Sequence, residues 1–147
     1  MEQLDICHVL RAISDDKALA IFNTIALSAG STPIAISRLK LTRKQYYSRM
    51  SAMIDAGIIT RRSGKYYLTS FGKIVYKTQM LIGRAHQINW KLKALDAIES
   101  SSNTKLSSVL VNSLIEDNDL KEILLSGNKN IENNQELIVL QPNFVPR

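Results

Sequence analysis

"LKLTRKQYYSRMSAMIDAGIITRRSGKYYLTSFGKIVY" occupies residues 39–76, and its reading decides the fold. Thr42 and Gln45 stand three apart in the T-x-x-Q pattern of a capping box. In such a box each side chain satisfies the other residue's orphan backbone N–H, and losing the cap costs about 1 kcal/mol. The helix that starts here is predicted over 43–56 and stops at Gly57, a residue suited to the left-handed turn that closes helices. Projected at helical pitch, Tyr46, Met50 and Met53 share one face with Ile54 at its edge. Lys44, Ser48 and Ser51 point the other way, flanked by Gln45 and Tyr47. Tyr46 is therefore expected to pack and Tyr47 to reach outward. The buried face is thin, and the outer face is basic and rich in hydrogen-bonding groups.

The period then changes. Ile58 and Ile59 open a β-rich run, Ser63-Gly64 supplies a turn, and Tyr66, Tyr67 and Leu68 return. A hairpin over 58–68 puts Arg61, Arg62 and Lys65 at its tip. Upstream, Ser14 followed by Asp15 and Asp16 predicts a helix start, with Ala18, Leu19, Phe22, Ile25, Ala26 and Ala29 at helical spacing and Gly30 closing. A short helix over 2–13 is expected to use Leu4, Cys7, Leu10 and Ile13. Thr32-Pro33 starts another, with Ile34, Ile36 and Leu39 inward.

Downstream, Thr69 or Ser70 caps a long helical stretch. Ile74, Thr78, Leu81, Ala85, Ile88, Leu92 and Leu95 alternate at spacings of four and three, a heptad seam. One helix over 70–99 would be roughly 45 Å long, too long to bury itself on a small domain. After "ESSSNTK", Thr104 is expected to cap a helix with Leu106, Val109, Leu110 and Leu114 inward. Asp117 or Asn118 caps another with Leu120, Ile123 and Leu124 inward and Gly127 after it. "LIVL" at 137–140 reads as a strand or an apolar plug within a partly disordered tail.

Charge is unevenly spread. The net value is +6, but residues 38–77 hold ten basic side chains against a single acid, Asp55. Residues 101–147 hold four basic groups and six acidic ones. A concentrated basic segment attracts polyanions, of which nucleic acid is the usual one. The chain has one cysteine, no long apolar run and a non-basic start, so neither a disulfide framework, a membrane span nor a secretory signal is expected. A cytoplasmic setting follows. Cys7-His8 and the distant His86 form no ligand cluster, so a buried structural cysteine and no metal or cofactor are expected. No Gly-rich phosphate loop, H-E-x-x-H or G-x-S-x-G appears, so the chain does not read as an enzyme.

The order helix, short helix, turn, basic helix, basic hairpin resembles a winged helix-turn-helix. The likeness is to small archaeal winged-helix transcription regulators and, more loosely, to arsenic-repressor-type and multiple-antibiotic-resistance-type regulators. "DAGII" (55–59) and "GKYYLTSFGK" (64–73) carry most of it, over roughly residues 15–100. It implies a mostly α fold with a β-hairpin wing, a long C-terminal dimerisation helix and extra short helices. In that family the second helix of the motif enters the major groove, the wing tip lies on the backbone or in the minor groove, and dimers read two half-sites.

The expected organisation is a winged-helix domain over 1–76, a dimerisation helix over 70–100, a helical appendage over 101–127, and a linker and tail over 128–147. The expected DNA contacts are Arg43, Lys44, Gln45, Tyr47, Ser48, Arg49 and Ser51 from the helix, and Arg61, Arg62 and Lys65 from the wing. Gln45 can pair with adenine, and Arg43 or Arg49 can reach guanine. The expected homodimer interface is Ile74, Leu81, Ala85, Ile88, Leu92 and Leu95. The function expected is sequence-specific transcription regulation on double-stranded DNA. A protein-interaction module of the transcription machinery and an architectural chromatin protein remain open, because fold alone does not settle function.

Overall fold

The computed structural model describes residues 5–28, 38–102 and 107–126. The helix expected from Thr32, the closing Gly30 and Gly127, the Thr104 cap with Leu106, and the 128–147 tail lie outside these residues. Within them the fold is mostly helical with one small antiparallel sheet. The order is α1 (Ile6–Ala12), α2 (Asp16–Leu27), α3 (Arg43–Asp55), β1 (Ile59–Arg62), β2 (Lys65–Leu68), α4 (Ser70–Gln87), α5 (Asn89–Ser102), α6 (Ser108–Leu114) and α7 (Asn118–Leu125). The chain divides into two compact units, Met1–Met80 and Leu81–Arg147, with the boundary inside α4.

The first unit is built on Ile21, Phe22, Met50, Met53, Ala56, Ile58 and Ile59, all but removed from solvent. Fully burying one such large side chain contributes about 1.5–3 kcal/mol. Helix α2 is capped by Asp15, one residue after the expected Ser14: the Asp15 carboxylate accepts from the N–H groups of both Lys17 and Ala18. In α1 the buried residues are Val9 and Ala12, not Cys7 and Leu10. Cys7 is exposed, which corrects its expected burial. A spacing of three residues drifts off a single helical face, and the stripe that meets α3 is the neighbouring one.

Helix α3 ends in a Schellman motif. Gly57 N–H donates to Ile54 O at 2.9 Å, Ile58 N–H donates to Met53 O at 3.1 Å, and Gly57 takes φ 74°. The chain then enters the hairpin, with Ile59 opposite Leu68, Thr60 opposite Tyr67, Arg61 opposite Tyr66 and Arg62 opposite Lys65. Ser63 and Gly64 both have positive φ, the mark of a type I′ turn. Thr69 ties the far end of the hairpin back to its start. Its hydroxyl donates to Gly57 O at 2.6 Å and accepts from Gly72 N–H at 2.9 Å, while its own N–H donates to Ile58 O at 3.1 Å.

The second unit gathers Leu95, Val111, Ile115 and Leu120, with Leu81, Ala85, Ile88, Leu92, Leu110, Leu114 and Leu124 packed around them. The expected single helix over 70–99 is interrupted at Ile88, which is a turn between α4 and α5. Ile88 N–H donates three residues back, to Ala85 O at 3.2 Å, instead of four. Val109 and Ile123, expected inward, are exposed, and Val111 and Ile115 fill the positions expected of them. Arg84 joins the start of α7, with Nε 3.3 Å from the N-cap Asp117 and a terminal nitrogen 2.7 Å from Asp119.

Candidate nucleic-acid interface

The capping box on α3 is complete. Thr42 Oγ1 accepts from Gln45 N–H at 3.2 Å, and Gln45 Oε1 accepts from Thr42 N–H at 3.1 Å. Flipping the Gln45 amide would set two donors face to face, so this hydrogen bond fixes its orientation. Tyr46, Met50 and Met53 are buried, as the projection required, and Tyr47 is 56% exposed. Burial pushes the Tyr46 phenol above its ordinary pKa, and the neighbouring Tyr66 and Tyr47 add to the shift. The Tyr47 ring meets the Tyr46 ring edge-on, with centroids 5.3 Å apart. An outward aromatic is thus held by an inward one.

Arg43, Lys44, Ser48 and Ser51 are exposed along α3. Two nominated base readers are engaged within the protein. The Gln45 carbonyl oxygen closes the capping box, and pairing with adenine would have to turn it away. Arg49 is half-buried; its Nε lies 3.1 Å from Asp15 Oδ1 and its Nη1 donates to Gln45 O at 3.1 Å. The Asp15 carboxyl is held below its usual pKa. Burial alone would raise it, but the Ala18 N–H, the Arg49 hydrogen bond and charge, and the Lys17 N–H outweigh that. Sequence reading missed this tie. The available signal was Arg49's place four residues from Gln45, on the flank where α3 turns from solvent toward the core.

At the hairpin, Arg61, Arg62, Ser63, Gly64 and Lys65 are all exposed. The Arg61 guanidinium lies over the Tyr66 ring, 5.7 Å from its centroid, and Arg62 lies over Tyr67 at 5.4 Å. Pleating puts Arg61 on the face of Ile59 and Tyr66, and Arg62 with Lys65 on the other. Arg62 and Lys65 are direct cross-strand partners, a like-charge pairing that destabilises a sheet. Among the described residues no carboxylate pairs with Arg43, Lys44, Arg61, Arg62 or Lys65. The sequence has no acid at all between Asp55 and Asp96.

Of the six nominated interface residues, Ile74 alone is exposed, at 65%. Leu81, Ala85, Ile88, Leu92 and Leu95 pack in the second unit's own cluster, against side chains from α6 and α7. Among the described residues no three His, Cys, Asp or Glu side chains gather as a metal would need, and no helix is long and apolar enough to cross a membrane. No protein-family model matches the chain, and neither the curated proteins nor the solved structures contain a significant match to it.

Proposed function

We propose that the chain is a winged-helix transcription regulator that binds double-stranded DNA sequence-specifically as a homodimer. Helix α3 enters the major groove, and the β1–β2 hairpin is the wing that meets the backbone or the minor groove. The observation that carries this reading is the Arg62–Lys65 pair. Two cations stand directly opposite each other across an exposed hairpin, with no carboxylate beside them among the described residues. Such a pair costs folding stability, and a polyanion would turn that cost into binding. The exposed Arg43 and Lys44 on a fixed helix start add a second cationic element in the same unit.

Lys65→Thr tests it. The variant removes the like-charge pair and places a β-favouring residue in the strand, so the protein should become more stable by about 0.2–1 kcal/mol. If Lys65 neutralises a phosphate, duplex affinity should fall, and the slope of log K on log salt should flatten by about 0.9. Fluorescence anisotropy across a salt series, beside thermal unfolding, reads both. Greater stability with unchanged DNA binding would make the wing an idle solvated surface and leave the protein-interaction reading in its place.

A further inference from the structure

We propose that Ser63, in the turn of the β1–β2 hairpin, is a phosphorylation site, and that a phosphate there releases the protein from DNA. The release rests on the DNA-binding reading above; the modification itself does not. The turn is type I′, in which both central residues take positive φ and asparagine, aspartate or glycine is preferred. Ser63 stands at the first of these positions with φ 50°, a left-handed conformation that costs free energy for a serine. The turn thus gives up stability and in return holds an exposed hydroxyl. Among the described residues that hydroxyl has no hydrogen-bond partner, whereas Ser100 and Ser113 donate to carbonyls of their own helices.

The surroundings suit a phosphate acceptor. Arg61 and Arg62 precede Ser63 and Lys65 follows it, all exposed, and no carboxylate among the described residues pairs with any of them. Two arginines directly before the hydroxyl, with no acid between Asp55 and Asp96, fit a protein kinase whose peptide groove is acidic. The turn can open to enter such a groove. Each strand has four residues, and the rung that closes the turn sets Arg62 against Lys65, a pairing that weakens it. Ser63 Oγ then attacks the terminal phosphorus of a nucleoside triphosphate held by the kinase. The Oγ–P bond forms, the bond from that phosphorus to the bridging oxygen breaks, and the nucleoside diphosphate leaves. The hydroxyl proton passes to a carboxylate base of the kinase. The product carries a charge of about −1.5 to −2 at neutral pH among three cations. It relieves the Arg62–Lys65 repulsion and occupies the charge that a DNA phosphate would have met.

The experiment uses the full-length chain in three forms: unmodified, with phosphoserine installed at position 63, and as Ser63→Asn. Asparagine suits the turn and cannot accept a phosphate. Tandem mass spectrometry of the chain isolated from its native cells should find phosphate on Ser63. The phosphoserine form should melt about 2 °C higher than the unmodified one, since the added anion answers a like-charge pair. Its affinity for duplex DNA should fall at least about tenfold, and the slope of log K on log salt should flatten by about 2. Ser63→Asn should bind duplex as the unmodified chain does. An unphosphorylated Ser63 in the native chain, or a phosphoserine form that melts no higher, would overturn the modification site. A phosphoserine form that binds duplex as tightly as the unmodified chain would overturn the release and leave DNA binding standing. If the unmodified chain binds no duplex, the DNA reading and the release fall together, and the mass spectrum and the melting shift still decide the site.

Discussion

Asp15 shows how one side chain can serve two helices. Its carboxylate caps α2 through Lys17 and Ala18 and also holds Arg49 of α3. Burial raises its pKa, but the hydrogen bonds and the Arg49 charge carry the folded value below the ordinary one. Stability from this tie is therefore present above the unfolded pKa, near 4, and is lost as pH falls through the folded value. Asparagine caps a helix about as well as aspartate, so Asp15→Asn removes the charge and spares the cap. The melting temperatures of wild type and Asp15→Asn should differ most near neutral pH and converge as pH drops below about 4. A gap that stays constant with pH would mean that the carboxylate's ionisation does not contribute. This tie also marks the limit of what α3's own residues made legible in the sequence. The residue types on α3 announced a basic, hydrogen-bonding helix, but whether Arg49 faces a base or a partner carboxylate depends on Asp15, which lies thirty-four residues away.

Elements were legible where a local rule had a specific chemistry. The capping box fixed the start of α3, Gly57 fixed its end, and Ser63-Gly64 fixed the hairpin; all three stand in the structure. Rules of periodicity alone fared worse. The heptad spacing runs through Ile88 without a break, yet the helix stops there, and the seam residues from Leu81 on pack with Leu110, Val111 and Leu114 of α6 and Leu120 and Leu124 of α7, which no local window contains. The glycine of "TSFGK" needed tertiary information. A Cβ on Gly72 would overlap the Ile58 carbonyl oxygen, which is backbone and cannot swing aside. That carbonyl already accepts from Thr69 N–H, where the hairpin's end meets its start. Gly72→Ala should therefore destabilise by about 3 kcal/mol or more, read by denaturant unfolding, although alanine is the better helix former by about 1 kcal/mol. A neutral or stabilising result would show that α4 can move off Ile58 at little cost.

At the scale of the whole molecule, the seam over 74–95 runs through both units. Five of its six nominated interface residues are committed to the second unit's cluster, so polar replacements there disturb folding before they report on association. Leu95 is 2% exposed, and Leu95→Ala should cost about 2–5 kcal/mol whether or not the protein dimerises. Ile74 separates the two effects. It lies in the first unit, 65% exposed on α4, and is absent from that unit's core. If the proposed homodimer uses this helix, Ile74→Glu places a charge in the interface and should yield monomers by light scattering, with the monomer's circular dichroism unchanged. Under the proposed function, two copies of the first unit held together also gain effective concentration on paired half-sites. The same variant should then lose affinity for a two-site duplex while keeping its affinity for a single site. A dimer that survives Ile74→Glu would take the seam out of the interface altogether, since its remaining nominated residues already have partners within their own chain.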